Sequence, residues 1–303
     1  IEIVRFDHVS QAVPELGPQI DVLQGLFGFR AGERFESEDG YLGVHLAMPG
    51  VSDLGWEVLA PNGATSSLHK FLDGPTGPGL HHVTIHVRDI RQAAAAIREE
   101  GAVPWAGGPV LEGDEPEVIY LHPRGGGHGF LFQLYEGEPW HTMPPVVEEP
   151  DSHTLGIKAL NHLSHAYSSC NELGDWYERL FGMTTIHRSD GDGSDTGFRT
   201  RVLEHPTRQM RIENIEPASG ASFIQRFLER RGPGMHHATF EVHDWERAVS
   251  ACAHHNIPIF GERADETDGV PWRGWMNASR HTGGARDSQL TAHAQRGVTR
   301  AIR

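Results

Sequence analysis

The stretch GLHHVT at residues 79–84 returns as GMHHAT at residues 234–239, 155 positions further along the chain. Three more blocks repeat in the same order: FDHVS at 6–10 as LNHLS at 160–164, LFGF at 26–29 as LFGM at 180–183, and EVLAP at 57–61 as ENIEP at 213–217. Ordered blocks at a nearly constant offset indicate an internal duplication. The sequence therefore predicts two copies of one domain.

The boundary between the copies lies in a stretch rich in Pro and Glu, at residues 136–151, which has the composition of a linker. We predict an N-terminal domain at residues 1–140, a linker at 141–156, a C-terminal domain at 157–290 and a polar tail at 291–303. The chain length of 303 residues agrees with two domains.

A fainter repeat lies inside the first copy. His8 and His82 are 74 residues apart, and Glu57 and Gln133 are 76 residues apart. Each unit reads as a strand, a helix and then several strands, with the Ala-rich segment at 90–100 as the clearest helix. The predicted fold class is α+β, and each domain consists of two related units.

Charge and composition exclude several classes of protein. A formal net charge of −15 argues against a nucleic-acid binder, because phosphate contacts need clustered Lys and Arg. No apolar run approaches the roughly 20 residues that span a bilayer, and residues 1–6 read as a strand, not as a signal peptide. We expect a cytoplasmic protein, monomeric or homodimeric, without membrane partners. Cys170 and Cys252 cannot form a disulfide framework.

Strand periodicity predicts which side chains share a face, because alternate residues point the same way. On the strand at 82–87, His82 and Thr84 face one side, and His81 faces the other with the apolar residues. His8 and Gln133 likewise lie opposite the apolar residues of their own strands. Since repeated units commonly pack about a pseudo-two-fold axis, these polar side chains are expected to meet.

Two imidazoles and a carboxylate, from His8, His82 and Glu57, suit one divalent ion such as Mn, Fe, Co, Ni or Zn. Gln133 would add a neutral oxygen ligand. Such a set leaves positions open for water or substrate, as a catalytic metal site requires.

These residues resemble a known superfamily, the vicinal oxygen chelate proteins, which include glyoxalase I, methylmalonyl-CoA epimerase, extradiol dioxygenases and bleomycin-resistance proteins. The match is most similar to the methylmalonyl-CoA epimerase branch, through DHV at 7–9, EVLAP at 57–61, KFL at 70–72, GLHH at 79–82 and LHPR at 121–124. The resemblance implies paired βαβββ units that form an open, cupped mixed sheet around one metal ion. It implies that His8, Glu57 and His82 are ligands, and that Gln133 stands where the family usually has Glu.

The resemblance also implies a reaction, in which the ion acts as a Lewis acid while a proton leaves the carbon next to a carbonyl. Glu57 is the candidate base, with His45 as a substitute. The substrate is expected to be a small molecule with vicinal oxygens, and an acyl-CoA thioester is one candidate. His122, Arg124 and His128 flank a Gly-rich turn and are candidate substrate contacts.

The second copy matches less completely. His162, Glu213 and His237 correspond to the three ligands and form a candidate second metal site. The end of the copy loses the apolar alternation, so that Gln289 replaces Gln133 only if a bulge residue is added. The tail from Thr291 onward shows no strand pattern. The alternatives are a second metal site and a degenerate, structural domain.

Three functions agree with the sequence. The first is an isomerase, epimerase or lyase that works by proton abstraction. The second is a non-haem Fe(II) dioxygenase, because two histidines and one carboxylate make a facial triad when Gln133 is not a ligand. The third is a small-molecule-binding protein without turnover, for which ligand residues should be missing.

Overall fold

The computed structural model describes residues 1–75, 77–139, 153–189, 192–194, 197–219, 222–267, 270–278 and 289–295, with side chains up to residue 259. Residues 140–152, in which most of the expected linker falls, lie outside the described residues. Within the described part of the chain, no helix is long and apolar enough to cross a membrane.

The first domain is an eight-stranded mixed sheet with three helices. Its elements are β1 (Ile3–Ala12), α1 (Leu16–Gly25), β2 (Arg30–Ser37), β3 (Tyr41–Ala47), β4 (Gly55–Pro61), α2 (His69–Leu72), β5 (Gly79–Val87), α3 (Ile90–Glu99), β6 (Pro104–Trp105), β7 (Val118–Leu121) and β8 (Leu131–Tyr135). The strand order is β2-β3-β4-β1-β5-β8-β7-β6.

The second domain repeats this plan. Its elements are β9 (Ile157–Ala166), α4 (Cys170–Phe181), β10 (Thr184–Arg188), β11 (Phe198–Glu204), β12 (Arg211–Pro217), α5 (Phe223–Arg231), β13 (Gly234–Val242), α6 (Trp245–His254), β14 (Phe260–Thr267), β15 (Val270–Ala278) and β16 (Gln289–Gln295). The strand order, β10-β11-β12-β9-β13-β16-β15-β14, is that of the first sheet.

Each sheet is built from two βαβββ units that meet at their first strands. β1 and β5 run antiparallel at the centre of the first sheet, and each pairs in parallel with the last strand of its own unit, β4 or β8. The second sheet has the same central pair, β9 and β13. The predicted α+β fold of two tandem domains, each made of paired βαβββ units, is therefore confirmed.

Helices α1, α3, α4 and α6 pack into a core that the two domains share, whereas α2 and α5 pack into smaller separate clusters. Helix α3 shows the sequence logic, because Asp89 caps its N-terminus by accepting hydrogen bonds from two backbone amides. Its buried residues recur at helical spacing and face the core. One hydrophobic cluster runs through both domains, with Phe27 of the first packed edge-on against Phe240 of the second.

Six register shifts interrupt the two central strand pairs, and four of them lie beside predicted ligands. The β1–β5 register skips Asp7 on one strand and His81 on the other, and the β9–β13 register skips Asn161 and His236. A bulge places an extra residue in one strand and re-aims its side chain. Each of the four skipped residues directly precedes a histidine that the sequence predicts as a ligand.

One of these bulges corrects the prediction for His81. Strict alternation placed this residue on the face opposite His82, but its Nδ1 lies 2.8 Å from Nδ1 of His82. The physical reason is the bulge, which interrupts the two-residue period at this position. Alternation resumes after it, because Val83 and Ile85 are buried in the core and Thr84 contacts His8.

The closing strand of the second domain also differs from the prediction. The sequence predicted no strand from Thr291 onward. This prediction was wrong for residues 291–295, which belong to β16. β16 pairs with β13 so that Thr291 stands opposite Thr239, as Gln133 stands opposite Thr84 in the first domain. Thr291, and not Gln289, therefore occupies the position of Gln133, and no added residue is needed.

Candidate metal centres

The first centre brings together His8, Glu57 and His82, each buried and each on a different strand. Oε2 of Glu57 lies 3.6 Å from Nε2 of His8 and 3.7 Å from Nε2 of His82. The two imidazole rings are 5.7 Å apart and nearly perpendicular. The side chains offer three ligand atoms that all lie within 4.8 Å of one another.

The neighbouring strands hold Glu57 in this position. Ser10 lies opposite Glu57 in the parallel β1–β4 register, and its hydroxyl donates a 2.6 Å hydrogen bond to Oε2 of the carboxylate. Such a bond fixes the carboxylate plane, as the outer contacts of metal ligands commonly do.

Asp7 orients the first histidine. Its Oδ1 lies 2.9 Å from Nδ1 of His8, so that Nε2 of the ring is directed into the centre. Arg5 pairs with the other oxygen of Asp7, and the hydroxyl of Tyr135 donates to it at 2.6 Å. The hydrogen bond from His8 and the nearby positive charge overcome the effect of burial and hold the pKa of Asp7 well below its usual range. The carboxylate is therefore an ionised acceptor for the His8 ring.

His81 plays the corresponding part for the second histidine. Its Nδ1 is within hydrogen-bond distance of Nδ1 of His82, which leaves Nε2 of His82 directed toward Glu57. Burial lowers the pKa of His81 to about 4, so this ring is neutral at ordinary pH and serves as one partner of a ring-to-ring hydrogen bond.

Gln133 lies beside the same group of side chains. Its Oε1 accepts a 2.8 Å hydrogen bond from the Thr84 hydroxyl, which is also 2.9 Å from Nε2 of His8. Its Nε2 donates to the Tyr120 hydroxyl at 3.0 Å, which fixes the orientation of the amide. The Thr84 hydroxyl thus links the Gln133 oxygen to His8. The role of Gln133 as the fourth ligand remains a prediction.

His45 also lies in this centre. The β3–β4 register pairs it with Glu57, and its Nε2 is 3.5 Å from Oε1 of that carboxylate. The ring is 5% exposed, stacks on Phe35 and lies edge-on to His8. Oε1 of Glu57 therefore faces the buried imidazole of His45, while Oε2 faces the two predicted ligand histidines.

Burial governs the protonation of the first centre. It raises the pKa of Glu57, against the opposing effects of His8 and of the Ser10 hydrogen bond. It lowers the pKa of His82 well below its ordinary value, although a hydrogen bond from the ring to Gln133 opposes this shift. A divalent cation would stabilise the ionised carboxylate and the neutral imidazole, which are the forms that bind a metal.

The second centre repeats this arrangement with His162, Glu213 and His237. Oε2 of Glu213 lies 3.3 Å from Nε2 of His162 and 4.0 Å from Nε2 of His237. The rings of the two histidines are again 5.7 Å apart. Ser164 donates to Glu213, and Nδ1 of His236 lies 2.8 Å from Nδ1 of His237. Asn161 stands in the place of Asp7 and contacts Nδ1 of His162 at 2.6 Å.

Both sets of residues fit a divalent ion. Ligand atoms at about 2.0–2.2 Å from a shared ion are roughly 3–3.6 Å apart, which is close to the measured separations. In each centre, the nitrogen that points away from Glu57 or Glu213 is engaged by a neighbouring side chain, as is usual for metal-bound imidazole. The donor set of two nitrogens and one carboxylate oxygen suits the first-row divalent metals.

The predicted substrate contacts lie elsewhere. His122, Arg124 and His128 line a cavity between the two domains, which the start of β5 and the start of β13 also border. The ring of His128 packs against Tyr167 and Trp176 of the second domain. The three residues therefore border the domain interface, in a cavity that His237 of the second centre also lines and that Glu57 does not.

Sequence reasoning did not identify the residues that orient the ligands, chiefly Asp7, His81 and Tyr135. A signal for two of them was present, because every predicted ligand histidine directly follows another polar residue: Asp7-His8, His81-His82, Asn161-His162 and His236-His237. Tyr135 had no such signal, since it reaches Asp7 only through the sheet register.

Comparison with known families agrees with this geometry. The sequence profile of the Glyoxalase/Bleomycin resistance protein/Dioxygenase superfamily matches residues 7–120 and 161–271, which is more than half of the chain. The chain belongs to this superfamily. Its two matched segments coincide with the two domains, so the duplication read from the sequence is a duplication of the superfamily's domain.

Two kinds of relative are similar to different lengths of the chain. Methylmalonyl-CoA epimerase from Dictyostelium discoideum is 28% identical over 136 residues, which cover 45% of this chain and 80% of the epimerase. A 4-hydroxyphenylpyruvate dioxygenase from Pseudomonas sp. (strain P.J. 874) is 27% identical over 249 residues, or 78% of this chain and 66% of the dioxygenase.

Among solved structures, a mutant of 4-hydroxymandelate synthase from Streptomyces coelicolor has a similar fold. The alignment covers 100% of this chain and 95% of that chain, with a TM-score of 0.71 and 13% sequence identity. At this identity the likeness concerns the fold alone. The tandem arrangement of the two domains is therefore also found in a solved structure.

Proposed function

We propose that the first centre catalyses metal-assisted removal of a proton from a carbon next to a carbonyl, as in an isomerase, epimerase or lyase. The observation that carries this proposal is the position of His45, a buried imidazole 3.5 Å from the carboxylate oxygen of Glu57 that faces away from the other histidines. A base beside a predicted metal ligand is the arrangement that proton abstraction needs.

The residues divide the work as follows. His8, Glu57 and His82 would hold the ion, with the Gln133 oxygen as a fourth ligand. When bound, the ion would supply Lewis acidity toward the carbonyl oxygen of the substrate. Nε2 of His45 would accept the proton from carbon, and Oε1 of Glu57 would stabilise the resulting imidazolium. In an epimerisation, a proton then returns to the opposite face of the carbon.

Proton exchange with solvent tests this proposal directly. The protein is loaded in turn with Mn, Fe, Co, Ni or Zn and incubated in D₂O with methylmalonyl-CoA, because several relatives carry the name methylmalonyl-CoA epimerase. Small 2-oxo and 2-hydroxy acids extend the panel to other substrates with vicinal oxygens. Deuterium on carbon, detected by mass spectrometry, supports the proposal.

His45→Val is the matched control, because valine removes the base and leaves the predicted ligands in place. Exchange that needs metal and falls in this variant agrees with the assigned roles. Exchange at the full rate in His45→Val would contradict the role of His45, and no exchange with any metal and substrate would contradict the reaction.

A second candidate is a dioxygenase that uses Fe(II) in the second centre. The observation that favours it is the length of the match, since the 4-hydroxyphenylpyruvate dioxygenase aligns with 78% of the chain and extends into both domains. His162, Glu213 and His237 also make the two-histidine, one-carboxylate set of non-haem iron enzymes.

Oxygen uptake distinguishes the two candidates. The Fe(II)-loaded protein is mixed with 4-hydroxyphenylpyruvate in an oxygen electrode, with His237→Ala and His82→Ala as paired variants. Uptake that is lost only in His237→Ala supports the dioxygenase, and exchange that is lost only in His82→Ala supports proton abstraction. A binding protein without turnover is the least favoured function, because both domains keep all three predicted ligands.

A further inference from the structure

A cavity of about 770 Å³ lies between the two domains; neither Glu57 nor Glu213 lines it, and His237 is the one predicted ligand among the described residues that do. Helix α2 and the start of β5 form one side, helix α5 and the start of β13 form the other, and the turn at residues 122–130 closes it. This volume is within the range of about 300–1,000 Å³ that small-molecule sites occupy. Both domains therefore contribute to a space large enough for an organic ligand.

The cavity has a charge opposite to that of the protein. The whole chain carries a net charge of −15, but the described residues that line the cavity include Lys70, Arg124 and Arg231 and no Asp or Glu. Many arginines elsewhere pair with carboxylates, whereas Lys70 and Arg124 form no ion pair within the described residues. Three cations without a lining carboxylate favour the binding of an anion.

Imidazoles and apolar rings make up much of the remaining wall. His81 and His236, which contact His82 and His237, are both part of it, and His236 is 4% exposed. Phe71 and Phe227 present apolar surface beside them, in edge-on contact with these two histidines. A ligand that fits this wall combines anionic groups with an apolar body.

The two domains are fixed to each other at this cavity. A Cβ atom on Gly129 would lie only 1.9 Å from the carbonyl oxygen of Pro233. The backbone segments of the two domains therefore approach too closely there for any residue other than glycine. The neighbouring carbonyl of His128 is 2.9 Å from Nε2 of His165 in the second domain. These contacts preorganise the walls, which reduces the ordering cost of binding.

We propose that this cavity binds an organic anion with at least two negative charges, on phosphate or carboxylate groups attached to an apolar body. The occupant would contact Arg124 of the first domain and Arg231 of the second. This proposal goes beyond the reaction proposed above, because it concerns binding and holds for either candidate reaction.

The test uses 1-naphthyl phosphate, a fluorescent aromatic dianion, with the full-length protein at low ionic strength. We expect saturable binding that inorganic pyrophosphate displaces, and binding of 1-naphthol, the same ring without phosphate, that is at least about tenfold weaker. The titration is repeated after EDTA treatment, because phosphates also bind divalent ions. Binding that survives EDTA supports the cavity as the site, and binding that EDTA abolishes contradicts it.

Three variants and one control locate the binding site. We expect 1-naphthyl phosphate binding to be about tenfold weaker in each of the variants Lys70→Gln, Arg124→Gln and Arg231→Gln. Added NaCl should also weaken binding by the wild-type protein. Arg30→Gln makes the same charge change on the exposed edge strand β2, outside the cavity, and should bind as the wild type does. Thermal unfolding of each variant checks that the fold is intact.

The proposal is overturned if 1-naphthol binds as tightly as 1-naphthyl phosphate, or if the three variants bind as the wild type does. Equal weakening in Arg30→Gln would also overturn it, since the effect would then be one of overall charge. Once a substrate is known, pyrophosphate inhibition separates two sources of the anion. Competition with substrate indicates the charged end of that substrate, and inhibition that leaves KM unchanged indicates a separate effector.

Discussion

The two metal centres of this chain share their geometry and differ in their surroundings. In both, the rings of the two predicted ligand histidines are 5.7 Å apart. The histidine that precedes His82 or His237 also places its Nδ1 2.8 Å from Nδ1 of that ligand. Both also contain a serine that donates to the carboxylate. The bulged central strand pair and the parallel strand beside it, β4 or β12, position these side chains in each domain, so duplication of the fold duplicated the predicted ligand set.

The outer strands account for the first difference. His45 on β3 stands opposite Glu57, whereas the corresponding residue on β11, opposite Glu213, is Val202. The second centre therefore lacks an imidazole at this position. A predicted ligand set can thus persist in a domain whose candidate base is absent, which is why the two domains are expected to differ in chemistry.

The immediate surroundings of the ligands provide the second difference. Asp7, an ionised acceptor for His8, becomes the neutral amide Asn161 beside His162. The side chain of Glu57 is 7% exposed and that of Glu213 is 16% exposed. Burial dominates at Glu57 and raises its pKa, but at Glu213 the two nearby histidines overcome burial and lower the pKa.

The largest expected effect is on metal binding, which should distinguish the two centres. His82→Ala should remove one equivalent of metal and lower the exchange reaction by at least about 10³-fold, because Lewis-acid assistance contributes several kcal/mol. His237→Ala should remove the other equivalent and leave exchange largely intact. Metal analysis by mass spectrometry and circular dichroism check both variants. Full metal content in His82→Ala would show that the first centre is assigned to the wrong residues.

The second prediction exchanges the outer-strand residues. His45→Val makes the first centre like the second, and we expect turnover to fall by about 10²-fold with metal content unchanged, as for loss of a general base. Imidazole added to the variant should restore part of the rate. A parallel loss of metal and turnover would instead mean that His45 acts as a ligand.

The third prediction exchanges the residues that orient the first histidine. Asp7→Asn reproduces the second centre and should weaken metal affinity about 10-fold, at the low end of the effect of outer-sphere partners. The reverse change, Asn161→Asp, would set a carboxylate against Glu241, which now accepts a hydrogen bond from Asn161. It is therefore combined with Glu241→His, the residue found at position 86 in the first domain.

Competition with a metallochromic chelator measures both affinities. The Asn161→Asp, Glu241→His double variant should bind metal more tightly in the second centre, and Asp7→Asn should bind it less tightly in the first. Equal affinities for wild type and Asp7→Asn would show that the charge of the acceptor has no effect on the first centre.

The predicted ligands followed from the sequence because the duplication marks them twice. Spacing placed His8, Glu57 and His82 at equivalent points of two units, and the strand register then brought them together as expected. Alternation failed only at the bulges, since a skipped residue such as His81 leaves no trace in a period-2 pattern. The sequence predicted His122, Arg124 and His128 as substrate contacts but not the cavity that they line, because a cavity between domains depends on how the domains pack.

The closing strand of the second domain marks another limit of sequence reasoning. In residues 289–295 only the small residues Ala292 and Ala294 continue the alternation that Leu290 begins, which makes the strand signal weak, yet the segment pairs with β13 in the register that β8 has with β5. Backbone hydrogen bonds to a preformed neighbouring strand do not require apolar side chains. Local pattern therefore underestimates a strand that the rest of the sheet imposes.

The smallest expected effect concerns stability, and it again distinguishes the domains. His165 in β9 corresponds to Gln11 in β1, and only the histidine titrates. Its Nε2 is within hydrogen-bond distance of the His128 carbonyl and its Nδ1 of the Tyr177 hydroxyl, and burial lowers its pKa to about 4. The unfolded chain, with a pKa near about 6.5, takes up a proton that the folded protein excludes.

Stability should therefore fall as the pH decreases from about 6.5 toward 4, where the unfolded state binds more protons. Between pH 7.5 and 5.5 this one residue accounts for about 1 kcal/mol of the free energy of unfolding, given 1.36 kcal/mol for each pKa unit. Urea unfolding of the wild type and of His165→Gln at both pH values isolates the contribution, because the other histidines are common to the two proteins. If the free energy of unfolding depends equally on pH in the wild type and in His165→Gln, then His165 is protonated in the folded state. The acid sensitivity would then have to arise from histidines that are present at equivalent positions in both domains.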